Sequence, residues 1–219
     1  MRLTIVYDNT VYPGSQGLAS RWGFSCLVET GRRRILFDTG GDGDVLLDNM
    51  AVLDVQPETI DAIVISHEHW DHAGGLTVLL EQKPDVRVYR LKMSRAADTV
   101  VVDEPCRIAD GVYSTGRLPG MPVDEQSLVL QGRQGCIVLA GCSHPGVDAI
   151  LAAAGEHGPV VGIVGGLHGF DRYGLLEDMM LVCPTHCTRH VDEIRERFPD
   201  QFVAGGVGRV IHLEPGANV

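Results

Sequence analysis

The sequence predicts one α/β domain over residues 1–219. Three observations favour this fold class. Short apolar runs of strand length recur along the chain and are followed by polar clusters that contain glycine or histidine. Segments with helical spacing lie between several of these runs. We find no internal repeat, low-complexity tract or linker, and 219 residues suit a single domain.

The predicted strands are mostly continuous apolar runs, as expected for strands that are buried on both faces. The N-terminal residues alternate like a strand up to Tyr7. The further runs are residues 34–37, 62–65, 136–140, 160–164 and 179–182. Polar residues follow each run, so we expect polar side chains to gather where the strands end.

Helical patterns fill part of the sequence between the strands. They cover residues 45–53, 76–82, 147–154 and 188–198. Pro84 ends the second pattern and Gly155 the third. Residues 84–122 have the least regular pattern, with loose strands and a Pro-Gly-Met-Pro loop at 119–122.

The charge balance bears on possible partners. Twenty-nine acidic and 18 basic side chains give a formal net charge of −11. Such a surface repels phosphate backbones. The one basic cluster, Arg32-Arg33-Arg34, is expected in a solvated hairpin turn between strands 24–29 and 35–38, rather than in an anion site. We therefore expect no nucleic-acid partner.

The sequence also bears on the cellular compartment. No window approaches the ~20 apolar residues of a membrane span, and residues 1–7 resemble a strand rather than a signal peptide. The six cysteines form no C-x-x-C pair, so disulfides are not expected. We expect a cytoplasmic protein with no membrane partner.

The strongest functional signal is the tract His67-Glu68-His69-Trp70-Asp71-His72. His67 and His69 would lie on the same side of an extended strand, and Asp71 and His72 follow in a turn. Three imidazoles and one carboxylate suit Zn²⁺, Mn²⁺ or Fe²⁺. A solvated polar loop is the alternative, but such a loop would not concentrate three histidines and an aspartate, which are costly to bury, at one strand end.

Three further histidines, His144, His168 and His186, each follow an apolar run. One such histidine alone would more often be a hydrogen-bonded structural residue. Because side chains at one edge of a layered sheet can converge, we expect His144 and His186 to bind metal. His168 has three alternatives: a metal ligand, a substrate contact or a structural residue.

These residues, with Asp38-Thr39-Gly40, resemble the metallo-β-lactamase superfamily. Further motifs are similar to the subgroup named for 7,8-dihydropterin-6-methyl-4-(β-D-ribofuranosyl)aminobenzene-5'-phosphate synthase. They are residues 37–40, 66–67, 71–76, 125–128, 141–146, 165–168 and 185–188. The resemblance implies an αββα sandwich, in which two mixed β-sheets pack together with helices outside and metals at one edge.

The resemblance also implies a ligand set. One metal would be held by His67, His69 and His144, and a second by Asp71, His72 and His186. We expect one or two Zn²⁺ ions, with Mn²⁺ or Fe²⁺ as alternatives. Asp38 matches a buried position where a carboxylate orients a ligand histidine.

Some positions depart from the family pattern. Most members have a metal-bridging aspartate where this chain has His168, and a neutral imidazole has one free lone pair and cannot bridge in that way. Arg189 stands at a common glycine position, and because segment 84–122 is shorter than in most subgroup members, we expect part of a substrate lid to be missing. Cys142 and Cys187 neighbour ligand positions, but we expect them to point away from the metals.

The resemblance implies a metal-dependent hydrolase that acts on an anionic phosphoester or pterin-like small molecule through a metal-bound hydroxide. His168 and Asp71 are the expected catalytic residues. The alternatives are a non-haem iron redox enzyme and a non-catalytic metal-binding protein. His69 argues against the first, because diiron oxygen-reducing relatives favour a carboxylate there, and the full ligand set argues against the second.

Overall fold

The strands form two sheets in the computed structural model, which describes residues 1–31, 33–94 and 98–214. In these residues the strands are β1 (Arg2–Tyr7), β2 (Ser25–Thr30), β3 (Arg33–Phe37), β4 (Ala62–Val64), β5 (Arg87–Arg90), β6 (Asp98–Val101), β7 (Cys106–Ala109), β8 (Val112–Ser114), β9 (Leu128–Gln131), β10 (Cys136–Ala140), β11 (Val160–Gly166), β12 (Leu181–Thr185) and β13 (Val210–His212).

The helices lie between these strands in the sequence. They are α1 (Gly43–Val52), α2 (Trp70–Ala73), α3 (Leu76–Gln82), α4 (Val147–Gly155) and α5 (Val191–Arg197). Short 3₁₀ turns cover Pro57–Thr59 and Tyr173–Leu176. None of these helices, within the described ranges, has the length and apolar character needed to cross a membrane.

Both sheets are mixed. The first has the order β13-β1-β2-β3-β4-β5-β6, and its pairs from β3 to β6 are parallel. The second has the order β12-β11-β10-β9-β8-β7, and β10, β11 and β12 are parallel. The remaining strand pairs are antiparallel.

Side chains alternate between the two faces along the central strands, so each sheet packs against the other sheet on one face and against helices on the other. In β3, Ile35 and Phe37 pack between the sheets, whereas Leu36 packs under α1 and α3. In β10, Leu139 joins the core between the sheets and Val138 packs under α4 and α5. The predicted αββα sandwich of two mixed sheets is therefore confirmed.

The parallel strands of each sheet end at one edge of the sandwich. Asp38 follows β3 and Ser66 closely follows β4 in the first sheet. In the second sheet, Gly141, Leu167 and His186 follow β10, β11 and β12. The polar residues that follow the apolar runs thus face one another across this edge.

Some predicted bounds were wrong. The run at 179–182 is a strand only from Leu181, and the strand continues through Pro184 to Thr185. Proline is tolerated because β12 is an edge strand. The irregular segment 84–122 contains four strands, β5 to β8.

The basic cluster lies at the predicted hairpin. Arg33 and Arg34 begin β3, where they pair with Asp61 and Glu29 respectively. Arg32 lies outside the described residues. The two described arginines are therefore engaged in ion pairs.

Candidate metal centre

Six of the predicted ligands converge in two clusters of three. The clusters are His67, His69 and His144, and Asp71, His72 and His186. Within each cluster, the candidate ligand atoms lie within 4.8 Å of one another. These are the two sets that the sequence resemblance implies.

The donor atoms have the spacing of ligands around one ion. Nε2 of His67 lies 3.1 Å from Nδ1 of His69. Nε2 of His186 lies 3.2 Å from Nε2 of His72 and 3.3 Å from Oδ2 of Asp71. Two nitrogens that each lie about 2.0 Å from a tetrahedral Zn²⁺ are about 3.3 Å apart.

A change of backbone conformation divides the tract 67–72 between the clusters. His69 is still extended, with φ −65° and ψ 146°, and it precedes the helical turn α2. Asp71 and His72 lie inside that turn. His67 and His69 therefore serve one cluster, and Asp71 and His72 the other.

Asp38 orients two of these imidazoles from a fully buried position. Its Oδ2 lies 2.7 Å from Nδ1 of His72 and accepts a hydrogen bond from Oγ of Ser66 at 2.8 Å. Oγ of Ser66 in turn lies 2.9 Å from Nδ1 of His67. Because the Ser66 hydroxyl gives its proton to Asp38, it accepts from Nδ1–H of His67.

Two other imidazoles are held in the same way. Nδ1 of His186 contacts Oδ1 of Asn9 at 3.0 Å, and Nδ1 of His144 contacts the Met121 carbonyl oxygen at 3.2 Å. Both oxygens act only as acceptors, so Nδ1 carries the proton in each neutral ring. Nε2 of His144 is buried and has no hydrogen-bond partner among the described residues.

When their rings are neutral, His67, His72, His144 and His186 thus direct unprotonated Nε2 atoms into the site. Lone pairs that face one another repel unless a cation lies among them. Second ring nitrogens held by carboxylates, hydroxyls and carbonyls are typical of metal-binding histidines. The residues present therefore fit a divalent metal.

Several pKa shifts favour the forms that bind metal, although at His72 the effect of burial is outweighed by the Asp38 carboxylate, which raises the pKa of that imidazole. Burial lowers the pKa of His144 to about 4, and burial with neighbouring imidazoles lowers the pKa of His67 further. Burial opposes ionisation of Asp71, but the adjacent imidazoles of His186 and His72 bring its pKa below the usual value. Neutral imidazole and ionised carboxylate are the ligand forms.

Glu125 holds the loop that carries His144. Its buried carboxylate accepts hydrogen bonds from the main-chain nitrogens of Gly141, Cys142, Ser143 and His144, at 2.9–3.1 Å. In the sequence, residues 125–128 stand out only as a family motif. The role of Glu125 is not visible there, because a carboxylate 16 or more residues before its partners leaves no local spacing signal.

Strained backbone also concentrates at the site. In the described residues, five non-glycine residues have positive φ, and four of them lie here: Asp38, Ser143, His168 and His186. Such conformations cost of order 1–3 kcal/mol each and persist where surrounding contacts impose them. The strain is consistent with side chains being aimed at one point.

His168 lies beside the first cluster but joins neither cluster of three. Its ring centroid is 4.7 Å from that of His144. Its candidate ligand atom instead groups with the sulfurs of Cys142 and Cys187. Nε2 of His168 is buried and unpartnered among the described residues, so it is free to contact an ion or a substrate.

The direction that the sequence predicts for Cys142 is wrong. Its Sγ lies 3.1 Å from Nε2 of His72 instead of pointing away. The loop held by Glu125 and the positive φ of Ser143 turn the chain directly after Cys142. Contact with Cys187 raises the pKa of the Cys142 thiol, although an ion deprotonates a thiol that coordinates it.

Trp22 is a second residue that the sequence did not reveal. Its indole Nε1 donates to Oδ2 of Asp71 at 2.8 Å, and its ring lies 5.1 Å from the His186 ring. No motif or spacing marks a tryptophan 49 residues before its partner.

An open groove of about 440 Å³ adjoins the tract at Glu68. Its lining residues are Glu68, Leu91, Lys92, Arg117, Pro122, Val123 and Asp124. Lys92 is exposed, whereas Arg117 pairs with Asp103 and Asp124. The groove is wide enough for a small molecule and carries one exposed lysine.

Comparisons with known proteins agree with this geometry. The sequence model of the metallo-beta-lactamase superfamily matches residues 23–98, which include the tract 67–72. An uncharacterized protein of Methanocaldococcus jannaschii is 25% identical over 96% of this chain and 100% of its own length. The 7,8-dihydropterin-6-methyl-4-(beta-D-ribofuranosyl)-aminobenzene-5'-phosphate synthase of the same organism is 24% identical over 88% of this chain and 90% of its own.

A solved structure is similar to this chain over nearly its whole length. The crystal structure of a metal-dependent hydrolase of the beta-lactamase superfamily superimposes with a TM-score of 0.79 at 26% identity, over 98% of this chain and 99% of that chain. With two mixed sheets, outer helices and candidate ligand clusters at the shared strand edge, the chain has the metallo-β-lactamase fold and is similar in sequence to members of that superfamily.

Proposed function

We propose that the protein is a metal-dependent hydrolase that acts on a small anionic molecule. The observation that carries this proposal is the convergence of unprotonated imidazole nitrogens, each oriented through its other ring nitrogen. Such an arrangement exceeds what a structural ion needs. The similar solved structure of a metal-dependent hydrolase supports the proposal.

His67, His69 and His144 would hold one ion, and Asp71, His72 and His186 a second. Zn²⁺ is the leading candidate, since imidazole and carboxylate suit it. A bound divalent ion would supply Lewis acidity and would lower the pKa of water for attack at neutral pH.

His168 and Asp71 have separate proposed roles. His168 would contact the substrate or donate a proton to the leaving oxygen from Nε2, which is buried beside His144. Asp71 would keep its carboxylate directed at the second cluster, with Oδ2 positioned by the Trp22 indole. The groove at Glu68 and Lys92 would hold the rest of the substrate.

The proposed substrate is a phosphoester or a pterin-like molecule. The pterin-related synthase among the relatives supports this class, and the exposed Lys92 can attract an anion. The net charge of −11 argues against nucleic acid as the substrate.

The test is a screen of chromogenic phosphomonoesters and phosphodiesters, together with pterin phosphates, before and after chelation. We expect hydrolysis that chelation abolishes and added Zn²⁺ or Mn²⁺ restores. A His69→Ala variant should lose activity, while His212→Ala, at the exposed end of β13, should retain it. Full activity in verified metal-free protein contradicts the proposal. Stoichiometric iron with visible absorption and no hydrolysis would favour the redox alternative.

A further inference from the structure

The Cys142 thiol lies among the candidate metal ligands. Its Sγ is 3.1 Å from Nε2 of His72 and lies within 4.8 Å of the ligand nitrogens of both His67 and His72. Three donor pairs inside the two clusters, His67 with His69, His72 with His186 and Asp71 with His186, are separated by 3.1–3.3 Å. The sulfur therefore stands at ligand spacing from an imidazole that belongs to the second cluster.

The protein holds this sulfur in place. Cys142 is 2% exposed, and its main-chain nitrogen donates to Oε1 of Glu125 at 2.9 Å. The main-chain nitrogens of Gly141 and Ser143 donate to the same oxygen. With three successive nitrogens bound to one buried carboxylate, the loop cannot easily turn the thiol elsewhere.

The position of the sulfur relates it to both clusters. His67 belongs to one cluster and His72 to the other, yet Cys142 forms a compact group with both. A neutral imidazole offers a single free lone pair, so it binds one ion. A thiolate has several lone pairs and can contact two ions.

The charge of the site also favours a thiolate at Cys142. The six cluster residues are five imidazoles and one carboxylate, that of Asp71. Two divalent ions would bring four positive charges to a site that is largely buried, where uncompensated charge is costly. A thiolate at Cys142 adds one negative charge in contact with the ions.

We propose that Cys142 is a metal ligand, bound as a thiolate between the two clusters. This assignment rests on the metal-dependent function proposed above. The thiol proton passes to solvent when the ion binds. Because thiolate is a soft ligand, the site prefers Zn²⁺, Co²⁺ or Fe²⁺ over Mn²⁺ and Mg²⁺.

The experiment adds Co²⁺ to metal-free full-length protein and follows absorption and equilibrium dialysis. We expect the parent protein to show a near-ultraviolet charge-transfer band from thiolate to Co²⁺. Cys142→Ser should lose the band and bind Co²⁺ about tenfold more weakly. Cys106→Ser is the matched control, since Cys106 lies in β7 outside the clusters, and it should keep both.

Two results overturn the thiolate ligand while leaving the hydrolase proposal standing. One is a parent protein that binds Co²⁺ and hydrolyses substrate without a charge-transfer band. The other is a band that persists in Cys142→Ser and disappears in Cys187→Ser. A parent protein that binds no Co²⁺ overturns both proposals. The first of these results is measured on the parent protein, so it does not depend on whether a variant folds. Circular dichroism checks the fold of the variants.

Discussion

The direction of four candidate metal-binding imidazoles is set by the partner of the second ring nitrogen. Asp38 positions His72 directly and His67 through Ser66, while Asn9 positions His186. These partners come from three different strand ends, so the site is oriented by the sandwich as a whole. A ligand histidine therefore depends on residues that never touch the ion.

His168 can be tested with residues that suit its backbone. Its φ of 45° is tolerated best by Asn, Asp and Gly, so His168→Asn removes the imidazole without adding backbone strain. We expect kcat to fall about 10²-fold or more, as for loss of a general acid, while the fold remains. His168→Asp should instead raise affinity for the second metal, because a carboxylate can bind two ions.

The measurements are turnover and metal stoichiometry for both variants. Parent-like turnover and metal content in both would make His168 a structural residue. His157→Asn, a change away from the site in the α4–β11 connection, controls for loss of a histidine elsewhere.

The sequence predicted which candidate ligands come together, but not the residues that hold or surround them. Each of the six cluster residues follows a strand or lies in the dense tract, and both are readable patterns. Glu125 and Trp22 act through long-range contacts, and Cys142 depends on a left-handed turn. None of these leaves a periodic signal, so they required the folded structure.

At the scale of elements, the loop after β10 depends on Glu125. The variant Glu125→Gln keeps one acceptor oxygen and places an amide donor against a main-chain N–H. We expect the free energy of unfolding to fall by about 2 kcal/mol or more and metal content to fall with it. Thermal unfolding and metal analysis measure both. The exposed Glu81 in α3 provides the control Glu81→Gln, and equal losses in the two variants would contradict a special role for Glu125.

The groove formed by the segment after β5 has its own test. The chain has only two lysines, Lys92 in the groove and Lys83, which pairs with Asp85. Lys92→Ala should raise KM for an anionic substrate about fivefold, equivalent to about 1 kcal/mol, with little change in kcat. Lys83→Ala should leave KM unchanged. If KM is unchanged in Lys92→Ala, or if Lys92→Ala and Lys83→Ala have equal effects, the substrate does not bind in this groove.

The predicted strand bounds were wrong where contacts with distant parts of the chain determine the strand. A central strand would stop before Pro184, but β12 passes through it at the sheet edge. The strands β5 to β8 have short, partly exposed patterns, so periodicity alone did not define them. Long runs such as β10, buried in every residue, were predicted at their observed bounds.

For the whole molecule, the sandwich explains why separated motifs meet. Parallel strands bring successive carboxyl ends to one edge, and two packed sheets bring two such edges together. The cost is that burial holds the pKa values of two imidazoles, those of His67 and His144, below their usual value. These two imidazoles link the stability of the entire fold to pH.

His144 contributes to this link between stability and pH. Folding lowers the pKa of His144 from 6.5 to about 4, so the unfolded chain takes up a proton first as the pH falls. Its contribution to stability is therefore present above pH 6.5 and is lost between pH 6.5 and about 4. Burial raises the pKa of Asp8 to about 6, which acts in the opposite direction. The informative quantity is thus the difference in Tm between parent and His144→Gln, both metal-free. We expect the parent to lose more stability than the variant over this range, and parallel curves would contradict a lowered pKa for His144.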